Sequence, residues 1–286
     1  MVNNNYCVFI ISYDRPDRVF TVNSLKEAGF VGEWFVVIGE DDLKKEKYIE
    51  NFKDRLIIFN KNNYDWVDLG DNFLEDKRVP VYVRNALYDI AEKLGYEYFF
   101  VFDDDYHCFI WMCDFNLNFN HLKIKNINKL FEKLIDFYKK TSFKVIALAQ
   151  TGDFVGGEES FYRFLNKEVG IRRKVMNSFL CSVRRRVKWL GRLNEDVNTY
   201  CYWGNKGDLF LTVWFGAIVQ ELTQQNKGGL TGNYLKFGTH YKSFISVMYC
   251  PSAVKISFLG KRYKRIHHRI YWNNLVPMIL REKRVK

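Results

Sequence analysis

Residues 97–106 read Glu-Tyr-Phe-Phe-Val-Phe-Asp-Asp-Asp-Tyr, an apolar run that stops on three carboxylates. The unbroken stretch Glu97 to Phe102 predicts a strand buried on both faces, as in a parallel sheet covered by helices. Working back from it, Pro80 opens a helix whose apolar positions Val83, Leu87, Ile90, Ala91 and Leu94 recur at helical spacing before Gly95 ends it. Earlier still, Arg55 to Phe59, Trp34 to Ile38 and Tyr6 to Ser12 read as strands. The last two are closed by turns, Gly39 with Glu40-Asp41-Asp42 and Asp14-Arg15-Pro16, and residues 17–28 between them suit a helix. Working forward, Ile127, Leu130, Phe131, Leu134, Ile135 and Tyr138 form one helical stripe, followed by a strand over Lys144 to Ala149. This alternation predicts an α/β protein with a mixed, mostly parallel sheet flanked by helices and any ligand at the carboxyl ends of the strands. Beyond residue 150 the pattern is less regular. Gly152, Gly156-Gly157, Gly228-Gly229, Gly232 and the basic stretches read as loops shaping a substrate site. No linker marks a boundary, so one domain over 1–286 is expected.

Composition narrows the class. Of 286 residues, 48% are hydrophobic and 27% charged, with only 4 Pro, which suits a folded globular chain and argues against disordered or fibrous ones. The longest apolar run, Phe210 to Val219, falls well short of the roughly 20 residues needed to span a bilayer, and residues 1–6 lack a basic leader segment. The expectation is an unexported, cytoplasmic protein without membrane attachment. Six scattered cysteines read as reduced thiols. The net charge of +11 is concentrated in Arg163 to Arg192 and Lys255 to Lys286, each with ten Lys/Arg against one acid. Interleaved aromatics (Phe179, Trp189, Tyr263, Tyr271, Trp272) suit stacking beside phosphate contacts. Arg172, Arg173, Lys174, Arg184, Arg185, Arg186 and Lys188 are therefore candidate nucleic-acid contacts; the plainer alternative is a solvated basic surface.

The triple carboxylate carries the chemistry. Alternation along an extended chain places Asp103 and Asp105 on one side and Asp104 on the other. Crowded like charges favour a bound cation, and hard oxygens select Mg²⁺ or Mn²⁺, which neutralises charge on a departing diphosphate. The alternative is an acidic turn. Ser12, Asp14 and Arg15 after the first strand, and Glu40, Asp41 and Asp42 after the second, face the same sheet edge. Arg15 suits a phosphate, and a carboxylate after the second strand suits a base or ribose. Further on, Asn194-Glu195-Asp196 either caps a helix or supplies a general base. The histidines form no zinc signature; His240 and His268 remain candidate late metal ligands beside a surface or core reading.

With these residues assembled, the chain resembles nucleotide-sugar glycosyltransferases of the GT-A fold. The match rests on Ser12 to Arg18, Arg84-Asn85, Asp103-Asp104-Asp105 and Asn194-Glu195-Asp196, over residues 6 to about 215. Within them it is similar to the group associated with TET/JBP oxygenases, phage and kinetoplastid enzymes that glycosylate hydroxymethylated pyrimidines in DNA, on Asn194-Glu195-Asp196-Val197, Gly207-Asp208, Gly229 to Lys242, and His268-Arg269 with Trp272 and Pro277. The resemblance implies a UDP-sugar donor and Mn²⁺ or Mg²⁺. Residues 1–110 would form the nucleotide-sugar half and 111–286 the acceptor half. Ser12, Arg15 and Glu40 or Asp41 would hold the uridine, Arg84 would approach the sugar nucleotide, and Asp103 and Asp104 would border the donor. Asp103 and Asp105 would hold the metal and Glu195 or Asp196 would be the base. The acceptor it implies is DNA carrying a 5-hydroxymethylpyrimidine, 5-hydroxymethylcytosine favoured, with inversion at the sugar; no protein partner is implied. Asp104, inside what is elsewhere a DxD pattern, leaves open which carboxylates ligate. Competing readings are a GT-A enzyme acting on a surface glycan or protein, a non-catalytic nucleic-acid-binding protein, and a metal-dependent nuclease or nucleotidyltransferase.

Overall fold

The computed structural model describes residues 5–71, 77–151, 158–162, 172–220, 238, 240–260 and 264–275. Strands β1 (Tyr6–Ile11), β2 (Glu33–Gly39), β3 (Leu56–Phe59) and β4 (Tyr98–Asp103) alternate with helices α1 (Phe20–Glu27), α2 (Lys45–Phe52) and α3 (Pro80–Lys93). The second part supplies β5 (Tyr106–Cys113), β6 (Phe119–Lys123), α4 (Ile127–Lys139), β7 (Phe143–Gln150), β8 (Ser178–Ser182), α5 (Glu195–Asn205), β9 (Leu209–Gln220) and α6 (Tyr241–Tyr249). A hairpin of β10 (Val254–Leu259) and β11 (Arg265–Ile270) stands apart as its own two-stranded sheet.

The nine-stranded sheet has the order β3-β2-β1-β4-β8-β7-β9-β5-β6. β1 to β4, β7 and β9 point one way and β8 and β5 the other, while β6 turns back against β5. This is the mixed, mostly parallel sheet flanked by helices that the sequence predicts. The basic stretches expected to be loops contain strands: β8 pairs with both β4 and β7, and β10 pairs with β11. The glycines 152, 156, 157, 228, 229 and 232 lie outside the described residues, as do Tyr263 and Pro277. Among the described residues no helix is long and apolar enough to cross a membrane.

Parity along the central strands builds both layers. Cys7, Phe9 and Ile11 of β1 and Phe99 and Val101 of β4 join the core under α3 and α5. Tyr6, Val8, Ile10, Phe100 and Phe102 join the opposite core with α1 and α4. Order reverses at β1, with β2 on one side and β4 on the other, which opens a crevice at their carboxyl ends. Ile11 pairs with Asp103, so Ser12 and the aspartates meet there.

Candidate active site

The same parity sorts the aspartates. Asp104 continues the Phe100/Phe102 series and is buried towards β1. Ser12 Oγ donates to its Oδ2 at 2.5 Å, Arg15 Nη1 lies 3.1 Å from its Oδ1, and Tyr48 Oη, from α2, meets Ser12 Oγ at 2.6 Å and accepts from the Arg15 amide at 2.9 Å. Burial pushes Asp104 up to about 6 against the opposing pull of Arg15 and the Ser12 hydroxyl. Asp104 and Arg15 are thus committed to each other, and Asp104 fixes the turn after β1 rather than lying open to a ligand. The aspartate turn is itself stapled by α1: Thr21 Oγ1 donates to the Asp103 carbonyl at 2.6 Å and accepts from the Tyr106 amide at 3.0 Å.

Asp103 continues the Phe99/Val101 series and emerges on the α3/α5 face. There Arg84 of α3, fully enclosed, places Nη2 3.1 Å from Glu195 Oε1 of α5 and 3.5 Å from Asp103 Oδ1. The Arg84 guanidinium lies over Phe179 and Trp189, 4.7 and 5.4 Å from their ring centres. Burial works against its charge, but Glu195, Asp103 and Asp196 outweigh that and hold its proton more tightly. Glu195 is pushed up to about 7 by burial, despite Arg84, with Asp196 and Asp103 adding to the rise. Asp196, also buried, turns an oxygen onto the Val197 amide at 2.7 Å. Asp103 is raised by burial and Asp196, against Arg84 and a hydrogen bond from Asn177 Nδ2 at 2.9 Å.

Asp105 is pushed up to about 7 by burial and by Asp103 and Asp104. Its Oδ1 is buried without a hydrogen-bond partner. Among the described residues no three His, Cys, Asp or Glu side chains form a ready metal cage. The orphaned Asp105 oxygen beside Asp103 nevertheless fits a hard divalent cation, which these two carboxylates would hold.

Other expected residues are placed differently. Glu40 is exposed, and Asp41 is engaged by the buried Lys61 at 2.8 Å. Asp42 is the inward member of that turn, accepting from the Asp14 and Lys44 amides, both at 2.9 Å. His240 is exposed and meets Phe244 edge-on. His268 comes within 3.4 Å of Asn194 Nδ2, next to Glu195; burial, His267 and Lys242 push it down to about 3, so it is neutral near pH 7. Asn194 does begin α5, but at φ 57° and without a side-chain cap; its amide instead reaches Ser246 Oγ at 3.2 Å and the Lys242 carbonyl at 3.4 Å.

Arg184, Arg185 and Arg186 lie away from the aspartates. β8 runs antiparallel to β4, pairing Ser178 with Phe102 and Ser182 with Tyr98, so residues 184–186 emerge at the edge opposite the aspartates. Arg185 donates to the carbonyls of Tyr138, Thr141 and Phe143 at 3.0, 2.5 and 3.3 Å. Arg186 bridges Asp89 and Glu92 of α3 at 2.5 and 2.6 Å, and Arg184 lies 3.3 Å from Glu97. Arg185 and Arg186 are tied into the fold, at the sheet edge away from the aspartates. Lys188 is exposed, its ammonium 5.6 Å from the Trp66 ring centre. Exposed Arg172 and half-buried Arg173 and Lys174 stand just ahead of Asn177, on the aspartate side. Sequence reading missed Asn177, at φ 30°, whose amide also meets Gln220 at 2.8 Å and Gln150, as well as Tyr48 and Lys242.

With this geometry in view, residues 6–229 match the family model described as TET-Associated Glycosyltransferase. The chain belongs to that family. No curated protein sequence matches it. Among solved structures, glucosyl-3-phosphoglycerate synthase from Mycobacterium tuberculosis with Mg²⁺ and UDP is similar at TM-score 0.49 and 11% identity, over 94% of this chain and 88% of that one. The same enzyme with Mn²⁺ and UDP-glucose gives 0.47 and 10%, over 95% and 91%. TarS 1–349 from S. aureus gives 0.42 and 14%, over 85% and 70%. The glycosyltransferase thus pairs a β1–β4 crevice with a buried guanidinium that joins Asp103 to Glu195.

Proposed function

We propose that this glycosyltransferase moves a sugar from a UDP-sugar to the hydroxymethyl group of a 5-hydroxymethylpyrimidine in DNA, 5-hydroxymethylcytosine favoured, with inversion at the sugar. The observation that carries the site assignment is Arg84, one buried cation shared by Asp103 and Glu195; membership of the family supports the acceptor.

In this reading Asp103 and Asp105 hold Mn²⁺ or Mg²⁺, which supplies positive charge to the departing diphosphate. Ser12 and Arg15 border the nucleotide in a turn already fixed by Tyr48 and Asp104. Glu195, raised to about 7, accepts the proton of the acceptor hydroxyl as its oxygen attacks the sugar. Arg84 keeps Glu195 in place and favours its ionised form against the rise from burial, so a proton-accepting carboxylate is held ready in a buried position. Asp196, turned onto its own helix, is the second candidate base.

The test is to incubate the protein with Mn²⁺, a panel of UDP-sugars and DNA with or without 5-hydroxymethylcytosine or 5-hydroxymethyluracil, then weigh the released nucleosides. The expected result is a mass gain of one sugar on a hydroxymethylated nucleoside, lost in Asp105→Ala and in Glu195→Gln. Gain on a protein or glycan acceptor alone, or strand cleavage, overturns the reading.

A further inference from the structure

The β10–β11 ribbon takes no part in the chemistry above, yet it is attached beside it. Its root is buried, with Val254 in the core under α3 and α5, and α6 packs against both strands. Halfway along, His268 meets Asn194, the residue before Glu195. Past that point the ribbon leaves the body: Phe258 is 67% and Leu259 46% exposed.

Its charges are one-sided. Lys255 pairs across the ladder with Arg269, and Leu259 with Arg265; these residues project on the face opposite Ile256 and His268. Like charges directly across a ladder repel. Neither strand contains an acid, and among the described residues no ion pair involves Lys255, Arg265 or Arg269. Lys255 donates to the Pro251 carbonyl at 2.8 Å and Arg269 lies 5.5 Å from the Tyr271 ring centre. The cations continue inward: Lys242 of α6 is under the influence of Asp196, Arg265 and Glu195, which places basic groups from the ribbon up to the candidate base. An exposed two-stranded ribbon with uncompensated cations has the shape and charge for duplex nucleic acid, because the major groove admits such a ribbon and presents the C5 substituent of a pyrimidine there.

We propose that the β10–β11 ribbon grips duplex DNA beside the Glu195 site, with Lys255, Arg265 and Arg269 on phosphates. This rests on the DNA acceptor proposed above. The test is binding of a short fluorescent duplex containing 5-hydroxymethylcytosine across a series of salt concentrations, run beside sugar transfer to the same duplex. The triple variant Lys255→Gln, Arg265→Gln, Arg269→Gln keeps the ribbon's bulk; an unchanged thermal midpoint certifies its fold. The expected result is at least about tenfold weaker binding and a log–log salt slope shallower by roughly 0.9 per cation removed, while Arg184→Ala, at the opposite sheet edge, binds as wild type. The charge-conserving Lys255→Arg, with Arg265 and Arg269 retained, must keep the slope. If the wild type modifies DNA and the triple variant binds with unchanged affinity and slope, the ribbon assignment falls alone. If the wild type neither binds nor modifies any duplex, it falls together with the DNA acceptor.

Discussion

The two basic stretches look interchangeable in sequence and are opposites in structure. Between residues 172 and 192 the fold takes up several of the cations itself: Arg185 closes α4 through three carbonyls, Arg186 ties β8 to α3, and Arg192 is buried 3.2 Å from Asp71. Along β10 and β11, Lys255, Arg265 and Arg269 face outward with no anion among the described residues. Charge density alone does not announce a polyanion site; what counts is whether the fold has already supplied the counter-charge.

The comparison breaks most visibly at Arg192. Arg192→Ala strands a buried Asp71, and unfolding in urea should show a loss of about 3–5 kcal/mol; a loss comparable to that of a surface pair would erase the distinction. The crowded acids at the sheet mouth give the next effect. Asp104, Asp105 and Glu195 sit at about 6, 7 and 7 in the fold, above ordinary carboxylates, so the folded protein binds more protons than the unfolded chain in that range. These three carboxyls should therefore add stability to the metal-free protein as pH falls from about 7 to about 4, opposed below about 6.5 by His267 and His268, which the fold holds neutral; Asp105→Asn should lower the midpoint gained on acidification, and thermal midpoints of wild type and variant across pH check this. Arg185→Ala, which releases three carbonyls, should cost about 2 kcal/mol in the same unfolding measurement. Arg186→Ala, at a solvent-accessible pair, should cost less than about 1 kcal/mol and less still in high salt. The smallest change is expected on the ribbon: Arg269→Gln should leave stability within about 0.5 kcal/mol of wild type or raise it slightly, since a like-charge neighbour disappears.

The legible parts of the fold are those where one pattern runs uninterrupted. β1 is apolar throughout, β2 and β4 are apolar apart from Glu33 at the start of one and Asp103 at the end of the other, and α3 and α4 keep their stripes for several turns, so each declares itself. β8 escapes because it is five residues long with serine at both ends, and those serines are buried by pairing on two sides rather than by their own chemistry. β9 breaks its register with β7 between Val213 and Ala217, which hides a strand inside what reads as an irregular apolar run. At the site, alternation correctly separates Asp103 from Asp104, and the partners follow from which core each side faces. The edge at which Arg184 to Arg186 emerge was invisible, because it depends on the direction of β8, and strand direction comes from pairing with β4 and β7, not from local composition.

Tyr48, Ser12, Asp104 and the Arg15 backbone already lock the turn after β1 in the free protein. The entropy of immobilising that turn is lost during folding, so a ligand entering the β1–β4 crevice meets a preorganised wall and gives up only its own freedom. In the proposed function, removing the Tyr48 hydroxyl would transfer part of that ordering to the moment of nucleotide binding, which makes a phenol on helix α2 a determinant of affinity through the turn it holds.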